Sequence, residues 1–186
     1  KTGFQITDNN LAAVKKSEII IITVGTHHFM KLLDEISSHI KNTHLIISIV
    51  SGVTIEKIQS KLTCKVPIIR AMPNTAADLC ESMTCLSTVS DFEKGLETAK
   101  SVFGKIGKTL VISEDQMASA TALGACGVAF FLRAIRAASQ GGIEIGFHSD
   151  EAFTIAAQTA RGAATLLLDN DAHPEAEIDR VTTPMG

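Results

Sequence analysis

The chain has 186 residues, a formal net charge of -3 and 45% hydrophobic residues, a composition typical of a globular protein with one or two domains. Its longest basic run is Lys15-Lys16, and it has eight Phe but neither Trp nor Tyr. Neither nucleic acid nor an anionic membrane surface is therefore indicated as a partner. The longest apolar runs, such as 19–24, are far too short to cross a bilayer.

Cysteine and histidine spacing argues against a metal centre. The four cysteines show no C-x-x-C spacing, and His27 and His28 are adjacent with no third ligand at a helical distance. We interpret the cysteines as reduced thiols of a cytoplasmic protein and the two histidines as loop residues. The first residue is Lys instead of Met, so we expect the natural protein to extend beyond this sequence.

The first 71 residues alternate between strand and helix patterns. A short edge strand at 3–7 precedes a helix at 11–16, and the isoleucine-rich run 18–25 is typical of a parallel strand covered on both faces. The next elements are a helix at 29–40, a strand at 45–50, a helix at 54–62 capped by Thr54, and a strand at 66–71. This order predicts an open parallel sheet with right-handed crossovers.

The second half of the chain changes from mixed to helical character. We predict a strand at 83–89, a helix at 91–103 capped by Asp91, a strand at 109–113, and a domain boundary near Ser113. Beyond the boundary, helices are predicted at 114–123, within 120–147, at 150–168 after a Ser149 cap, and after Pro174.

The segment 120–147 contains the most apolar of these helices. Between 127 and 138 the only charged residues are Arg133 and Arg136, and the apolar residues keep helical spacing. We therefore expect a helix buried on most sides that forms an interface and one wall of a site, and that ends at Gly141-Gly142. The alternative is that the glycines at its start only relieve crowding between helices.

In an open parallel sheet, ligands bind beyond the carboxyl ends of the strands. Here those ends carry 24–26, 49–52 and 70–75, which are rich in small, polar and turn-forming residues. The sequence contains no G-x-G-x-x-G, so the loop that would hold a dinucleotide pyrophosphate is absent from this chain.

Short motifs stand in order along nearly the whole chain. They are S-G-V-T-I at 51–55, R-A-M-P-N-T at 70–75, A-L-G-A-C-G-V-A-F at 122–130, A-A-Q-T at 156–159, G-A-A at 162–164, H-P at 173–174 and V-T-T-P at 181–184. Each is weak alone, but together they resemble the pyrroline-5-carboxylate reductase family, the NAD(P)H-dependent last enzymes of proline synthesis.

The resemblance implies a fold, a cofactor and a partner. Residues 1–113 would form a Rossmann-like, doubly wound parallel sheet that binds a dinucleotide and lacks its first βα unit. Residues 114–186 would form a helical dimerisation and substrate domain, incomplete at its C-terminus, in a homodimer or larger homo-oligomer. The cofactor would be NADP or NAD. The resemblance does not distinguish the two, because the residues that do so in the family correspond to positions before Lys1.

The resemblance also implies four groups of cofactor-binding residues. Asn10 corresponds to the contact with the adenosine end of the cofactor. The others are Val24 and Gly25 after the isoleucine-rich strand, Ile49, Val50 and Ser51 beside the nicotinamide ribose, and Met72, Pro73 and Asn74 beneath the nicotinamide ring. Gly25-Thr26-His27 replaces the family's usual Val-Lys-Pro, so one cofactor contact differs from the family pattern.

For the substrate, the resemblance implies two catalytic residues, Glu114 and Thr183, and three further binding residues, Cys126, Gly127 and Thr182. Glu114 would stabilise a cyclic iminium or relay its proton, and Thr183 would fix the substrate carboxylate. Cys126 replaces the family's serine, and Met185 stands where the family has Gly. Taken by itself, Glu114 is an acid at a helix N-terminus, which the helix dipole favours; Thr183 is a turn residue, and Arg70 is expected to pair structurally.

The predicted reaction is hydride transfer from the nicotinamide to the C=N carbon of 1-pyrroline-5-carboxylate, which gives L-proline. Two alternatives remain open. A related two-domain reductase or β-hydroxyacid dehydrogenase would need a lysine on the central helix, which carries Arg133 and Arg136 instead. A truncated, non-catalytic dimerisation module would need only the helical part.

Overall fold

The computed structural model describes residues 3–89, 92–170 and 172–182. One compact unit runs to Val128 and a second begins at Ala129, somewhat later than the boundary predicted near Ser113. The intervening segment packs on the first unit, because Met117 is fully buried in a cluster with Met72 and Cys85.

The first unit contains a five-stranded sheet in the order β1-β2-β3-β4-β5. The strands are β1 (Ile19–Ile22), β2 (Leu45–Ser48), β3 (Ile68–Met72), β4 (Ser82–Ser87) and β5 (Gly107–Val111), and the helices are α1 (Asn10–Lys15), α2 (Thr26–Ile36), α3 (Ile55–Gln59), α4 (Glu93–Phe103) and α5 (Met117–Ala120). Single turns of 3-10 helix lie at Ser37–His39, Thr75–Leu79 and Glu114–Gln116, and a π-helical turn lies at Thr121–Ala125.

At two helix starts a side chain caps the helix, and Thr54 is one of the caps that the sequence predicts; the predicted cap Ser149 is instead the first residue of the helix 149–170. Asn9 accepts a hydrogen bond from the Ala12 amide at the start of α1, and Thr54 accepts one from the Lys57 amide at the start of α3. The predicted cap Asp91 lies outside the described residues, and α4 begins at Glu93.

The sheet is parallel over three strands and then reverses. β1, β2 and β3 are parallel, with Ile47 paired to both Ile21 and Ile69, whereas β4 is antiparallel to β3 and parallel to β5. The predicted parallel sheet is therefore confirmed for β1 to β3, whereas β4 joins it in the antiparallel direction. The connection from Met72 to Ser82 holds only a 3-10 turn, which is too short for the crossover that a parallel neighbour needs.

Helices cover both faces of the central strands, as the doubly wound prediction requires. Ile46 and Ile68 pack with Phe29, Leu33 and other buried residues of α1, α2 and α3. The neighbouring side chains Ile47 and Ile69 point to the opposite face, where they pack with Ala99 and Phe103 of α4. The alternation follows from the two-residue repeat of a strand.

The start of the chain departs from the prediction. Residues 3–7 form neither helix nor strand, so the edge strand predicted there is wrong, and Phe4 and Ile6 are exposed. β1 is instead the edge of the described sheet, and Ile19 and Ile21 on one of its faces are 40% and 43% exposed. This strand is therefore covered on one face only, because α4, which covers the other face of the sheet, packs on Ile47, Ile69 and Leu86 of β2, β3 and β4.

The second unit consists of helices: α6 (Gly127–Glu144), which starts at the end of the first unit, α7 (Ser149–Asn170) and α8 (Pro174–Val181). Gly141 and Gly142 lie inside α6, so the predicted helix end is wrong. A Cβ atom built at Gly142 would lie 3.0 Å from the Ala152 Cβ atom. Gly142 therefore allows α6 and α7 to approach closely, and the left-handed residue after the helix is Gly146, with φ of +110°.

Much of α6 is exposed within the single chain. Phe130, Phe131 and Leu132 are 65%, 69% and 59% exposed, so the expectation of a helix buried on most sides is wrong for the chain by itself. In the part of the chain that the structure describes, one helical stretch, Glu114–Glu144, is also long and apolar enough to cross a membrane. This stretch contains no long apolar run, because residues such as Arg133, Arg136 and Gln140 interrupt it.

Candidate functional site

Three loops that the sequence analysis assigns to a cofactor emerge at one edge of the sheet. They follow β1, β2 and β3, which are parallel neighbours, so their carboxyl ends lie side by side. The first two loops are joined directly, because the Thr26 hydroxyl donates a hydrogen bond of 3.2 Å to the Ser51 carbonyl oxygen. Val24 is partly buried against the core, and Gly25 is the exposed residue that precedes α2.

The loop after β2 combines a fixed start with an exposed turn. The Ile49 amide donates to the Ile22 carbonyl oxygen at 3.1 Å, and Val50 is buried. Ser51 is exposed, and Gly52 has φ of +74°, which few residues other than glycine adopt. The turn thus offers backbone and hydroxyl groups to a ligand at the sheet edge.

The loop after β3 is tied to a later part of the first unit through Asn74. Its amide nitrogen Nδ2 donates to the Gly124 carbonyl oxygen at 3.1 Å, and its Oδ1 accepts from the Ala76 amide at 3.0 Å. Its backbone amide donates to the Ser82 hydroxyl at 3.0 Å. Asn74 therefore positions its own turn and the π-helical turn at the same time.

Two of the predicted substrate residues, Cys126 and Gly127, directly follow the π-helical turn. The Cys126 amide donates to the Thr121 carbonyl oxygen at 2.9 Å, which closes the wider turn, and Cys126 is exposed whereas Gly127 is buried. Single π-helical turns occur often at functional sites because they shift the side chains that follow. Apart from its small residues, no local pattern indicated this turn.

Glu114 lies at the centre of a polar cluster in the first unit. Its Oε1 accepts from Arg70 Nη1 at 2.9 Å and from the Ile55 amide at 3.1 Å, and its Oε2 accepts from the Ser87 hydroxyl at 3.0 Å. The side chains of Arg70 and Glu114 are 6% and 28% exposed. Arg70 pairs structurally, as expected, but nothing in the local sequence indicated Ser87 or the Ile55 amide.

The remaining predicted residues belong to other elements or lie outside the described residues. Asn10 Nδ2 donates to Glu35 Oε2 at 3.1 Å on the surface of α1 and α2. Thr182, in the second unit, donates its hydroxyl to the Ile178 carbonyl oxygen at 3.0 Å. Thr183 and Met185 lie outside the described residues. His27 and His28 lie in the first turn of α2 instead of a loop, with ring centroids 4.0 Å apart.

Two titrating groups close to these residues have shifted pKa values. Burial raises the pKa of the Cys85 thiol, which packs beside Met72. A hydrogen bond from the Ser113 side chain, together with backbone amides, lowers the pKa of the exposed Asp115 carboxyl. Both shifts favour the protonation state that each group has at neutral pH.

Known protein families match both ends of the chain. The profile described as "Pyrroline-5-carboxylate reductase dimerisation" matches residues 114–186, and that described as "NADP oxidoreductase coenzyme F420-dependent" matches residues 1–52. Among solved structures, pyrroline-5-carboxylate reductase from Coxiella burnetii is 27% identical, with a TM-score of 0.87 over 97% of this chain and 68% of that chain. Pyrroline carboxylate reductase from Plasmodium falciparum with NADP bound reaches 0.89 at 22% identity, a likeness that supports the fold alone.

Similar sequences extend over the whole chain. Pyrroline-5-carboxylate reductase 1 of Dictyostelium discoideum is 52% identical over 100% of this chain, which spans 36% of that relative. Pyrroline-5-carboxylate reductase 2 of the same organism is 49% identical over 99% of this chain and 67% of the relative, and the Methanosarcina acetivorans reductase is 30% identical over 100% and 69%. The chain belongs to the pyrroline-5-carboxylate reductase family.

Proposed function

We propose that the protein is an NAD(P)H-dependent reductase that converts 1-pyrroline-5-carboxylate to L-proline, the last step of proline biosynthesis, in the cytoplasm. The main support is that 49–51 and 72–74, which the family resemblance assigns to the cofactor, lie at the carboxyl ends of the neighbouring parallel strands β2 and β3. The free state of all four cysteines agrees with a reducing compartment.

The residues at the sheet edge fit the nicotinamide half of a dinucleotide. The turn at Ser51-Gly52 is exposed, and a Cβ atom built at Gly52 would meet nothing within 4 Å, so a ribose has room to approach the backbone. Ser51 and Asn74 would hold this half, with Val24 and Gly25 beside it and Asn10 toward the adenosine end. The bound cofactor would supply the hydride that reduces the C=N bond.

The protein's own residues then have to orient a cyclic imine and keep its nitrogen protonated, because the protonated imine accepts hydride more readily. Cys126 and Gly127 would border the ring of the substrate, since the π-helical turn presents Cys126 to solvent. Thr182 and Thr183 are assigned to the substrate carboxylate by the family motif. Glu114 belongs to the same proposed site, because it accepts hydrogen bonds from Arg70 and from the Ile55 amide beside the cofactor loops.

The reaction is tested with protein expressed from the complete gene. NADPH and NADH are each supplied with 1-pyrroline-5-carboxylate, and formation of proline is measured. We expect turnover with at least one dinucleotide and a loss of about tenfold or more in kcat/KM for Asn74→Ala, because the link to Gly124 is lost. Asn42→Ala, at an exposed turn, is the matched control. Oxidation of a β-hydroxyacid without imine reduction would overturn the proposal.

The missing glycine loop gives a second test of cofactor binding. We expect residues 1–186 alone to bind either dinucleotide with a Kd above about 10 μM, because the pyrophosphate's main hydrogen bonds come from such a loop. Tighter binding, measured by calorimetry, would show that the three sheet-edge loops are sufficient.

The proposed partner is a second copy of the chain, bound through the helical unit. Three consecutive residues, Phe130, Phe131 and Leu132, are more than half exposed, and soluble monomers rarely present large apolar patches. A second copy is favoured over a bilayer because the stretch 114–144 contains Arg133 and Arg136, which are costly in hydrocarbon. The dimerisation profile covers the same residues.

Self-association is tested by sedimentation of the wild type and Phe131→Asp. We expect the wild type to sediment as a dimer or larger and the variant to dissociate, because a carboxylate would be buried in the interface. Leu110→Asp, at a similarly exposed apolar residue of β5, is the matched control and should stay associated. A folded wild-type monomer, or recovery with the membrane fraction, would contradict the proposed partner.

A further inference from the structure

The polar cluster around Glu114 joins three elements that are distant in sequence. Its donors come from β3 (Arg70), from β4 (Ser87) and from the first residue of α3 (Ile55). Two of these donors adjoin the proposed cofactor loops: Ile55 follows the turn that starts at Ser51, and Arg70 stands two residues before Met72. Glu114 itself begins the segment that leads to Cys126.

Three of the roughly four acceptor positions of the Glu114 carboxylate are already used, which leaves one on Oε2 for any direct contact with substrate. A carboxylate oxygen accepts about two hydrogen bonds, and Oε1 already accepts from Arg70 and Ile55. The Ile55 amide is the first of α3 and has no acceptor within its own helix, so Glu114 satisfies a donor that would otherwise lack an intrahelical partner. Bonds from a guanidinium to a carboxylate are also stronger and more directional than neutral ones.

We propose that Glu114 is a positioning residue, which holds the turn before α3 against the end of β3 and so fixes the spacing of the two cofactor loops. The inference rests on the proposed reductase function. In this role Glu114 does not stabilise the iminium directly. It acts through Arg70 and Ile55, which it holds at a fixed distance from each other. Arg70 is the second positioning residue, because its buried guanidinium pairs with the Glu114 carboxylate.

The test compares Glu114→Gln, Arg70→Gln and the double variant in protein expressed from the complete gene. Each single variant should raise the KM for NADPH, or for NADH if that is the preferred cofactor, roughly tenfold. The KM of the double variant should be no higher than that of the more impaired single variant. The pH profile of kcat should keep its shape, since no titrating catalytic group is removed. Glu97→Gln, which breaks the exposed pair with Lys100, should change none of these values.

Hydrogen exchange at the Ile55 amide gives a readout that needs no turnover. We expect faster exchange there in Arg70→Gln and in the double variant, and an unchanged rate in Glu97→Gln. If Glu114→Gln alone fails to fold because it leaves a buried arginine unpaired, the uncharged double variant still provides both measurements.

Direct catalysis would give different results. A tenfold or larger loss of kcat in Glu114→Gln, with cofactor KM unchanged and a shifted pH profile, would overturn the positioning role, as would wild-type kinetics and exchange in Arg70→Gln. A wild-type protein that does not reduce the imine would instead overturn the proposed reaction, whereas the exchange rates would still show whether the cluster holds the turn.

Discussion

The two units of the chain bury their apolar residues very differently. The first unit encloses residues such as Phe29, Leu33 and Ile47, which have no exposed surface. In the second unit the buried side chains of the described residues are alanines, Ala152 and Ala156, while large ones such as Phe131 and Leu168 are exposed. The first unit thus carries its own core. The second unit has amphipathic helices with an exposed apolar surface, which is typical of a surface that binds a partner.

The largest expected effect comes from comparing two phenylalanines, one in a helix of each unit. Phe29→Ala should lower the free energy of unfolding by about 3 to 5 kcal/mol, because it leaves a cavity beneath α2. Phe131→Ala, at the exposed surface of α6, should cost less than about 0.5 kcal/mol when the chain is diluted to a monomer. Urea unfolding at several protein concentrations measures both values.

If both variants lost a similar free energy of unfolding at every protein concentration, the expected difference between the two units would be wrong. It would mean that Phe131 lies in a core of the single chain, and that the second unit is stable without a partner. A loss of free energy for Phe131→Ala that grows with protein concentration would instead support this difference, because it would measure the contribution of Phe131 to association.

A second comparison lies within α6, where two adjacent glycines have different surroundings. Alanine gains up to about 1 kcal/mol over glycine in a helix interior, so Gly141→Ala should stabilise the protein, since a Cβ atom there meets nothing within 4 Å. Gly142→Ala should instead destabilise it by about 1 to 3 kcal/mol, because the new Cβ would lie 3.0 Å from that of Ala152.

Thermal unfolding of the two glycine variants separates helix propensity from close packing. Both gain the same intrinsic propensity, so the difference between their melting temperatures reports the contact between α6 and α7. Equal stabilisation of both variants would show that the helices can move apart at little cost, and that Gly142 has no packing role.

Local signals predicted the fold well where a single residue decides the structure. Thr54 was expected to cap α3 and does so, because the capping hydrogen bond spans only three residues. Alternating and continuous apolar runs likewise located the strands of the sheet. The reversal at β4 was missed although the sequence held a signal for it: the turn at Pro73-Asn74 leads to the next strand after too few residues for a crossover.

Contacts between distant residues are what the sequence left unresolved. The partners of Glu114 are 27, 44 and 59 residues away, and no local pattern distinguishes a carboxylate that holds a loop from one that faces a substrate. In the same way, Gly141 and Gly142 are alike in sequence, and only the position of Ala152 separates them. Motifs located the loops of the proposed site, but tertiary contacts decide what each side chain does.

The smallest expected effect concerns the pH dependence of the first unit's stability through Cys85. Burial raises the pKa of its thiol above the unfolded value of about 8.5. The resulting stabilisation is fully present below the unfolded pKa and is lost as pH rises through the higher folded pKa, because the unfolded chain ionises first. From about pH 8 to about pH 10 the wild type should therefore lose more stability than Cys85→Ser, whose hydroxyl does not titrate in this range. Cys80→Ser, at an exposed site, is the control, and its stability should fall with pH as in the wild type. Parallel pH curves for the wild type and Cys85→Ser, measured by urea unfolding, would show that Cys85 is not effectively buried in solution.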